Sequence, residues 1–336
     1  MLNQELRLVS RPVGVPGPEH FALVSAPIAA LAPGQVLVRN LLLSVDPAQR
    51  GYANDEGNYA PPVPLDSVMR SLAVGRIIDS QHPDHPVGQV VYGWFGWQSH
   101  CVCEATAILR VVRPSRLPLE ASAGLLGING LTAWLALHDI GCPRPGQTVV
   151  VTAAAGAVGS IVGQLAKAAG CRVVAVVGSA EKGKLCLARY GYDAWVDYHA
   201  PLAPALQQAA PSGVDIFFDN VGGPIADTVI GQMNLFGRVI QCGTLSTASW
   251  QTPPQGPRLE REVLTRRLRV EGFVIFDHQA RFAQVADRLT AMAECGALQC
   301  DHDVVSGIEA APQALVDVYA GRNRGKKLVC LRRDAA

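Results

Sequence analysis

The sequence has no run of about 18 consecutive apolar residues, so no membrane-spanning helix is expected. Met1 to Val13 contains no continuous apolar stretch of the secretory kind, and the expected location is the cytoplasm. Charged residues make up only 17% of the chain and the formal net charge is +1. Without a block of one sign, a nucleic-acid partner is not indicated, and the short cluster Arg266, Arg267 and Arg269 reads as a solvated face. The nine cysteines are scattered and odd in number. Their one close pair, Cys101 and Cys103, has the wrong spacing for a redox pair or a zinc knuckle. Free thiols in a reducing compartment are the plain reading. Internal repeats and low-complexity segments are also missing. What remains is a chain of 336 residues, 49% of them hydrophobic, enough for two domains with separate cores.

Three stretches differ in pattern. Residues 1–120 are rich in glycine and proline, with short β-like runs at Gln35–Leu43, Ala73–Ile78 and Gln89–Trp94. Turn signals separate these runs, which suggests an irregular β-barrel. Residues 121–295 alternate apolar strand-sized runs with helix-sized segments. Strands are expected at Thr148–Thr152, Arg172–Val177, Ala194–Asp197, Val214–Asp219, Arg238–Cys242 and Val270–Phe276. Helices are expected at Val158–Ala169, Ala180–Tyr190, Ile225–Met233 and Gln279–Ala293. Such alternation implies a parallel sheet covered on both faces. Residues 296–336 form a short return ending in the β-like Lys327–Leu331.

The run Val149-Val150-Val151-Thr152 leads into Ala154-Ala155-Gly156-Ala157-Val158-Gly159 and then a helical pattern. This is the Rossmann turn with alanine for its first glycine. A bare Gly156 lets backbone approach a pyrophosphate, and Gly159 lets helix and strand pack closely. The helix start adds free N–H groups and partial positive charge. A plain strand–turn–helix would also use small residues, but here the neighbouring strands follow in the right places. An NAD site usually carries an acid about 20 residues after the glycines. This chain has Val177-Gly178-Ser179 there, then Lys182. A lysine and small donors suit a 2′-phosphate, so NADP is the expected cofactor, although Lys182 would also make an ordinary surface lysine.

Further motifs follow in order: Leu43-Ser44-Val45-Asp46-Pro47, Tyr59-Ala60-Pro61-Pro62-Val63, Val68-Met69-Arg70, Gly93-Trp94-Phe95-Gly96-Trp97-Gln98, Gly130-Leu131-Thr132-Ala133-Trp134, Asp219-Asn220-Val221-Gly222-Gly223, Glu271-Gly272-Phe273 and Asn323-Arg324-Gly325-Lys326. With these motifs, nearly the whole chain resembles the medium-chain dehydrogenase/reductase superfamily. Within it, the chain is most similar to the zinc-free branch of leukotriene and prostaglandin reductases, plant double-bond reductases and bacterial curcumin reductase. The resemblance implies an α/β chain: a GroES-like β-barrel domain with an inserted Rossmann domain, completed by the C-terminal return. It assigns Gly156, Ala157, Val158 and Gly159 to the pyrophosphate, and Lys182 and Tyr198 to the adenosine 2′-phosphate, beside Ser179, the small donor read above. Asn220 would lie on the adenosine side; Cys242, Gly243, Thr244, Phe273, Val274 and Ile275 beside the nicotinamide; Asn323 would reach the cofactor from the return. Each could instead be a core or turn residue.

Zinc members of the superfamily need an N-terminal cysteine ligand and a His-Glu pair. Here the first cysteine is Cys101, and none of His20, His82, His85 and His100 precedes a glutamate. No metal is expected. Without a Lewis acid, alcohol–ketone exchange loses its carbonyl polarisation. Hydride addition to the β-carbon of an enone or enal needs only donors for the enolate oxygen. Several relatives carry a tyrosine shortly before the Glu-Gly-Phe motif, where this chain has Thr265. The candidates for the hydroxyl role are therefore Thr265, Tyr59 and Tyr52. An NADPH-dependent reductase of small enones or enals, dimeric through the last Rossmann strand, is the reading that follows. An NADPH quinone reductase and a non-catalytic NADPH-binding protein remain the alternatives.

Overall fold

The computed structural model describes residues 2–55, 59–246, 252 and 255–331. The chain divides into two compact units, Met1–Gly127 with His302–Ala336, and Ile128–Asp301. The units change over at 127/128 and 301/302, where the sequence pattern suggests 120 and 295.

The first unit opens with β1 (Leu2–Leu8), β2 (Phe21–Pro27), β3 (Gln35–Ser44), the short helix α1 (Ala48–Tyr52), β4 (Ser67–Val68), β5 (Leu72–Ser80), β6 (Val90–Trp94), β7 (His100–Glu104) and β8 (Ile108–Val111). The second unit holds α2 (Ile128–Ala136), β9 (Thr148–Thr152), α3 (Gly159–Ala168), β10 (Arg172–Val177), α4 (Ala180–Tyr190), β11 (Ala194–Asp197), α5 (Leu202–Ala209), β12 (Val214–Asp219), α6 (Gly223–Ile230), β13 (Met233–Gln241), α7 (Glu260–Arg266), β14 (Arg269–Gly272) and α8 (Phe282–Glu294). The chain then returns to the first unit with β15 (His302–Ser306), α9 (Ala311–Tyr319) and β16 (Lys326–Cys330).

In the first unit, β1 pairs antiparallel with β2 and β4, while β15-β16-β3-β5-β6-β8 form a larger sheet to which β7 adds along β3. Apolar residues of β3 point to both faces, so this long strand is covered on both sides. Its side chains Val36, Val38 and Leu43 pack with Leu6, Phe95 and Val329. The indole of buried Trp97 donates to the Ser44 carbonyl at 3.1 Å, satisfying the ring's only donor.

In the second unit the strands run parallel in the order β11-β10-β9-β12-β13-β14. Right-handed crossovers require such an order to grow outward from β9 in both directions, which puts the reversal between β9 and β12. Two expected elements are corrected here. The helix read as Ile225–Met233 ends at Ile230, and Met233 already belongs to β13. The strand read as Val270–Phe276 stops at Gly272, and a 3₁₀ segment, Ile275–Arg281, follows it. Buried Phe273 instead turns its ring onto His278, with centroids 4.8 Å apart and planes within 11°.

Candidate active site and dinucleotide cradle

The loops after β9 and β12 meet at the point where strand order reverses, the usual place for a ligand in an open parallel sheet. Thr152 Oγ1 donates to Asp219 Oδ1 at 2.8 Å and accepts the Asn220 N–H at 2.8 Å. Asn220 Nδ2 donates to the Thr152 carbonyl at 2.8 Å. The buried Asp219 carboxylate also accepts from Val221 N at 2.9 Å, Gly222 N at 3.0 Å and Gln241 Nε2 at 3.0 Å. Three strand ends are thereby locked by one acid. Sequence reasoning assigned Asn220 but passed over Thr152, Asp219 and Gln241. The legible signal was a polar residue closing each of three apolar runs.

The turn itself is tight. A Cβ on Gly156 would stand 3.0 Å from the Ala153 carbonyl, and one on Gly159 would fall inside the Ala153–Ala154 backbone. The left-handed residue is Ala153, at φ 50°, one position before the alanine that replaces the first glycine. Ser160 N–H goes to the Gly156 carbonyl at 3.0 Å. Among the described residues, the N–H groups of Ala157, Val158 and Gly159 meet no backbone acceptor at this helix start.

The next strand end gathers the residues assigned to the adenosine. Val177 of β10 lies beside Asp197 of β11. Ser179 caps α4, its Oγ accepting Lys182 N–H at 3.3 Å, which sets Lys182 in the first helical turn. The Tyr198 ring lies against bare backbone: a Cβ on Gly178 would come within 2.5 Å of its hydroxyl. The nearby acid, Asp197, accepts the His199 N–H at 2.9 Å. On the other side of the switch point, Cys242 and Gly243 both donate their N–H to the Asp219 carbonyl, at 2.8 and 3.1 Å. Gly243 has no room for a Cβ, which would lie 2.7 Å from the Asn220 carbonyl. Thr244 follows directly. Burial, with the Asp219 charge adding to it, pushes the Cys242 thiol up to about 12. Phe273 and Ile275 are buried and Val274 is half-buried. The Thr265 hydroxyl donates to the Arg261 carbonyl of its own helix at 2.7 Å.

The other candidates belong to the first unit. Helix α1 carries Tyr52, 4% exposed, whose ring meets Tyr59 edge-on at 6.2 Å and Trp94 at 6.3 Å. Tyr59 is 55% exposed. Burial raises the Tyr52 phenol well above its ordinary value, and the neighbouring Tyr59 and Asp46 add to the rise while Arg70 opposes it. Tyr52 therefore keeps its proton, with the Tyr59 ring edge-on beside it. Arg70 lies over the Tyr52 ring, 5.2 Å from its centroid, and donates to the Pro61 carbonyl at 2.7 Å. The segment Ser44 to Pro47 that leads into α1 is tied to the C-terminal return: Lys326 Nζ donates to Asp46 Oδ1 at 2.5 Å and to the Val45 carbonyl at 2.9 Å. Asn323, in the same return, donates to the Gly325 carbonyl at 2.9 Å and closes a turn.

Residues 4–111 match the family described as the N-terminal domain of oxidoreductase, and residues 157–291 the one described as zinc-binding dehydrogenase. The chain is 37% identical over 338 residues to the NADPH-dependent curcumin reductase of Escherichia coli strain K12, covering 99% of this chain and 98% of that one. The chain belongs to the medium-chain dehydrogenase/reductase superfamily. Prostaglandin reductase 1 of Sus scrofa is 38% identical over 325 residues, covering 94% of this chain and 95% of that one. Among solved structures, CurA in complex with NADPH from Vibrio vulnificus superposes with a TM-score of 0.93 at 36% identity, covering 98% of this chain and 100% of that one.

Superfamily membership raises two groups to test against the residues. Zinc does not fit: among the described residues, no three His, Cys, Asp or Glu side chains gather to hold a metal ion. Cys101 and Cys103 face the barrel core from β7 with no histidine or acid completing a set. A dinucleotide does fit. Gly156, Gly159 and Gly243 let the loops pack tighter than any Cβ would allow, and the start of α3 presents donors for a pyrophosphate. No helix of the described residues is long and apolar enough to cross a membrane.

Proposed function

We propose that this NADP-dependent oxidoreductase reduces the activated carbon–carbon double bond of α,β-unsaturated ketones and aldehydes. The observation that carries the reading is the Tyr52–Tyr59 pair: a phenol open to a ligand, backed by a buried phenol that holds its proton. Relatives that are named curcumin reductase, 2-alkenal reductase and pulegone reductase support it. NADPH, when bound, supplies the hydride for the β-carbon. Gly156 to Gly159 would hold its pyrophosphate, Ser179, Lys182 and Tyr198 its 2′-phosphate, and Asn220 the adenosine side. Cys242 to Thr244 and Phe273 to Ile275 would flank the nicotinamide, with Asn323 contributing from the return. Tyr59 donates its hydroxyl to the substrate oxygen that gathers charge. Tyr52, donating to Tyr59, stabilises the charge that Tyr59 takes on.

The test is a panel of enones and enals followed by loss of NADPH absorbance. Oxidation by simple benzoquinones with none by enones would replace the reading with quinone reduction. Tyr59→Phe is expected to lower turnover at least about tenfold, below the ~10²–10³ that one oxyanion donor is worth elsewhere. NADPH affinity should stay within about twofold, since the phenol serves the substrate. Unchanged turnover in both Tyr59→Phe and Tyr52→Phe would remove the two phenols from the reaction.

A second copy of the chain along the outer edge of β14 is the assembly we assign. That strand ends the sheet, and among the described residues no strand pairs with its far edge. Val270 is exposed there between Arg269 and Glu271, which pair with each other at 2.5 Å. An unpaired edge with an apolar centre is a liability that pairing removes. Light scattering at micromolar concentration should report a dimer, and a monomer would reject the assignment.

A further inference from the structure

We propose that Arg70 forms an anion-recognition subsite, so that the unsaturated carbonyl compounds this enzyme prefers carry a carboxylate. The proposal rests on the enone and enal reductase reading and names the substrate class within it.

The argument is one of charge left over. Arg70 sits at the rim of the aromatic cluster of Tyr52, Tyr59 and Trp94, with its guanidinium over the Tyr52 ring. Among the described residues its one hydrogen bond goes to a neutral acceptor, the Pro61 carbonyl, and no carboxylate lies within ion-pair distance. A guanidinium has five N–H donors, so most of this fork is unspent. The acid nearest in sequence to the tyrosine helix, Asp46, is already taken by Lys326 and by the Ser44 hydroxyl.

A second cation in the same unit repeats the pattern. Arg50, on α1 with Tyr52, is only 6% exposed, and its side chain bonds to the neutral Asn54 Oδ1 at 2.5 Å. Among the described residues its Nε has no acceptor. The backbone N–H of Arg50 and the Tyr319 hydroxyl share the Pro47 carbonyl, each at 3.0 Å, so the turn into α1 is also held by Tyr319 of α9. Among the described residues neither arginine pairs with a carboxylate, and the field of Arg70 favours an anion that docks on the cluster. A cation–π contact with Tyr52 offsets only part of that charge. The planar fork of Arg70, half-buried where Arg50 is not accessible, is the group shaped to take a carboxylate in two parallel hydrogen bonds.

A matched pair of substrates tests this: an enone with a terminal carboxylate and its methyl ester, assayed on the full chain with NADPH. The wild-type kcat/KM should favour the acid, mainly through KM, and the preference should shrink as salt rises. Arg70→Met should lower kcat/KM on the acid by about 10- to 100-fold while the ester stays within about threefold. Arg70→Lys, which keeps the charge without the fork, should recover part of the preference. If Arg70→Met fails to fold, the wild-type acid-to-ester ratio, its salt dependence and Arg70→Lys decide the matter. An equal loss on acid and ester in Arg70→Met, or a wild-type enzyme that prefers the ester, overturns the subsite alone. A wild-type enzyme that reduces neither compound overturns the reductase reading beneath it.

Discussion

Lys326→Met should destabilise the first unit by about 3–5 kcal/mol, the cost of stranding one member of a buried ion pair. The Lys326 and Asp46 side chains are 3% and 13% exposed, so water cannot replace the lost partner. Burial lowers the Lys326 ammonium, and the Asp46 carboxylate in contact with it opposes that shift. The methionine variant would remove the ammonium from Asp46 while the Ser44 hydroxyl still donates to it. The loss reaches further than one bond, because Asp46 heads the turn into α1, and its N–H is held by Gln49 Oε1 at 2.9 Å. Denaturant unfolding followed by the fluorescence of Trp94 and Trp97 measures it. Asp46→Leu combined with Lys326→Met should recover most of the loss, since a well-packed apolar pair of similar volume is often neutral. A loss below about 1 kcal/mol in the single variant would mean that the site admits water and the pair behaves as a surface bridge.

That pair was invisible in the sequence, for a physical reason. Lys326 and Asp46 are far apart in the chain, and nothing local marks a lysine as buried. What was legible follows burial on two faces. The bounds of β9, β10, β11, β12 and α4 coincide with those read from the sequence, since strands covered on both sides are unbroken apolar runs with small or polar residues at their ends. Where tertiary contacts override the local pattern, the reading slipped. Met233 looks like the last apolar residue of a helix, yet Gly231 ends that helix and Met233 enters a strand that bends at Phe236, left-handed at φ 63°. Val270–Phe276 looks like one strand, but Gly272 and the stacking of Phe273 on His278 end it early. Helices α5 and α9 each carry a first-turn proline, Pro204 and Pro312, a residue that looks like a breaker in sequence but is tolerated at a helix start. The cradle glycines were legible because close approach leaves no alternative residue. The hydroxyl donor was not, because Thr265, Tyr59 and Tyr52 differ in exposure and bonding rather than in sequence spacing.

Lys182→Ala should raise the dissociation constant for NADPH by about 10- to 150-fold and leave that for NADH nearly unchanged, the range expected for one charge-assisted hydrogen bond. The end of β10 carries no acid: Val177 gives way to Gly178 and to Ser179, which caps α4. A carboxylate there would bind a ribose 2′-hydroxyl and repel a phosphate. The first turn of α4 instead combines the Lys182 ammonium with the partial positive charge of the helix start. Bare Gly178 and the Tyr198 ring over it give a flat wall on the other side. Of the two acids nearby, Asp197 accepts the His199 N–H and exposed Glu181 lies about 100° around the helix from Lys182. The substitution keeps the cap, because Ser179 receives the backbone N–H of residue 182 and alanine provides the same N–H. A change in affinity would then belong to the side-chain charge and not to a frayed helix. Fluorescence titration with both cofactors at fixed ionic strength reads the difference. Raising the salt should weaken NADPH binding by the wild type more than by the variant, since only the wild type has this ammonium to screen. An equal loss for NADPH and NADH would show that Lys182 supports the fold of the loop and does not read the phosphate.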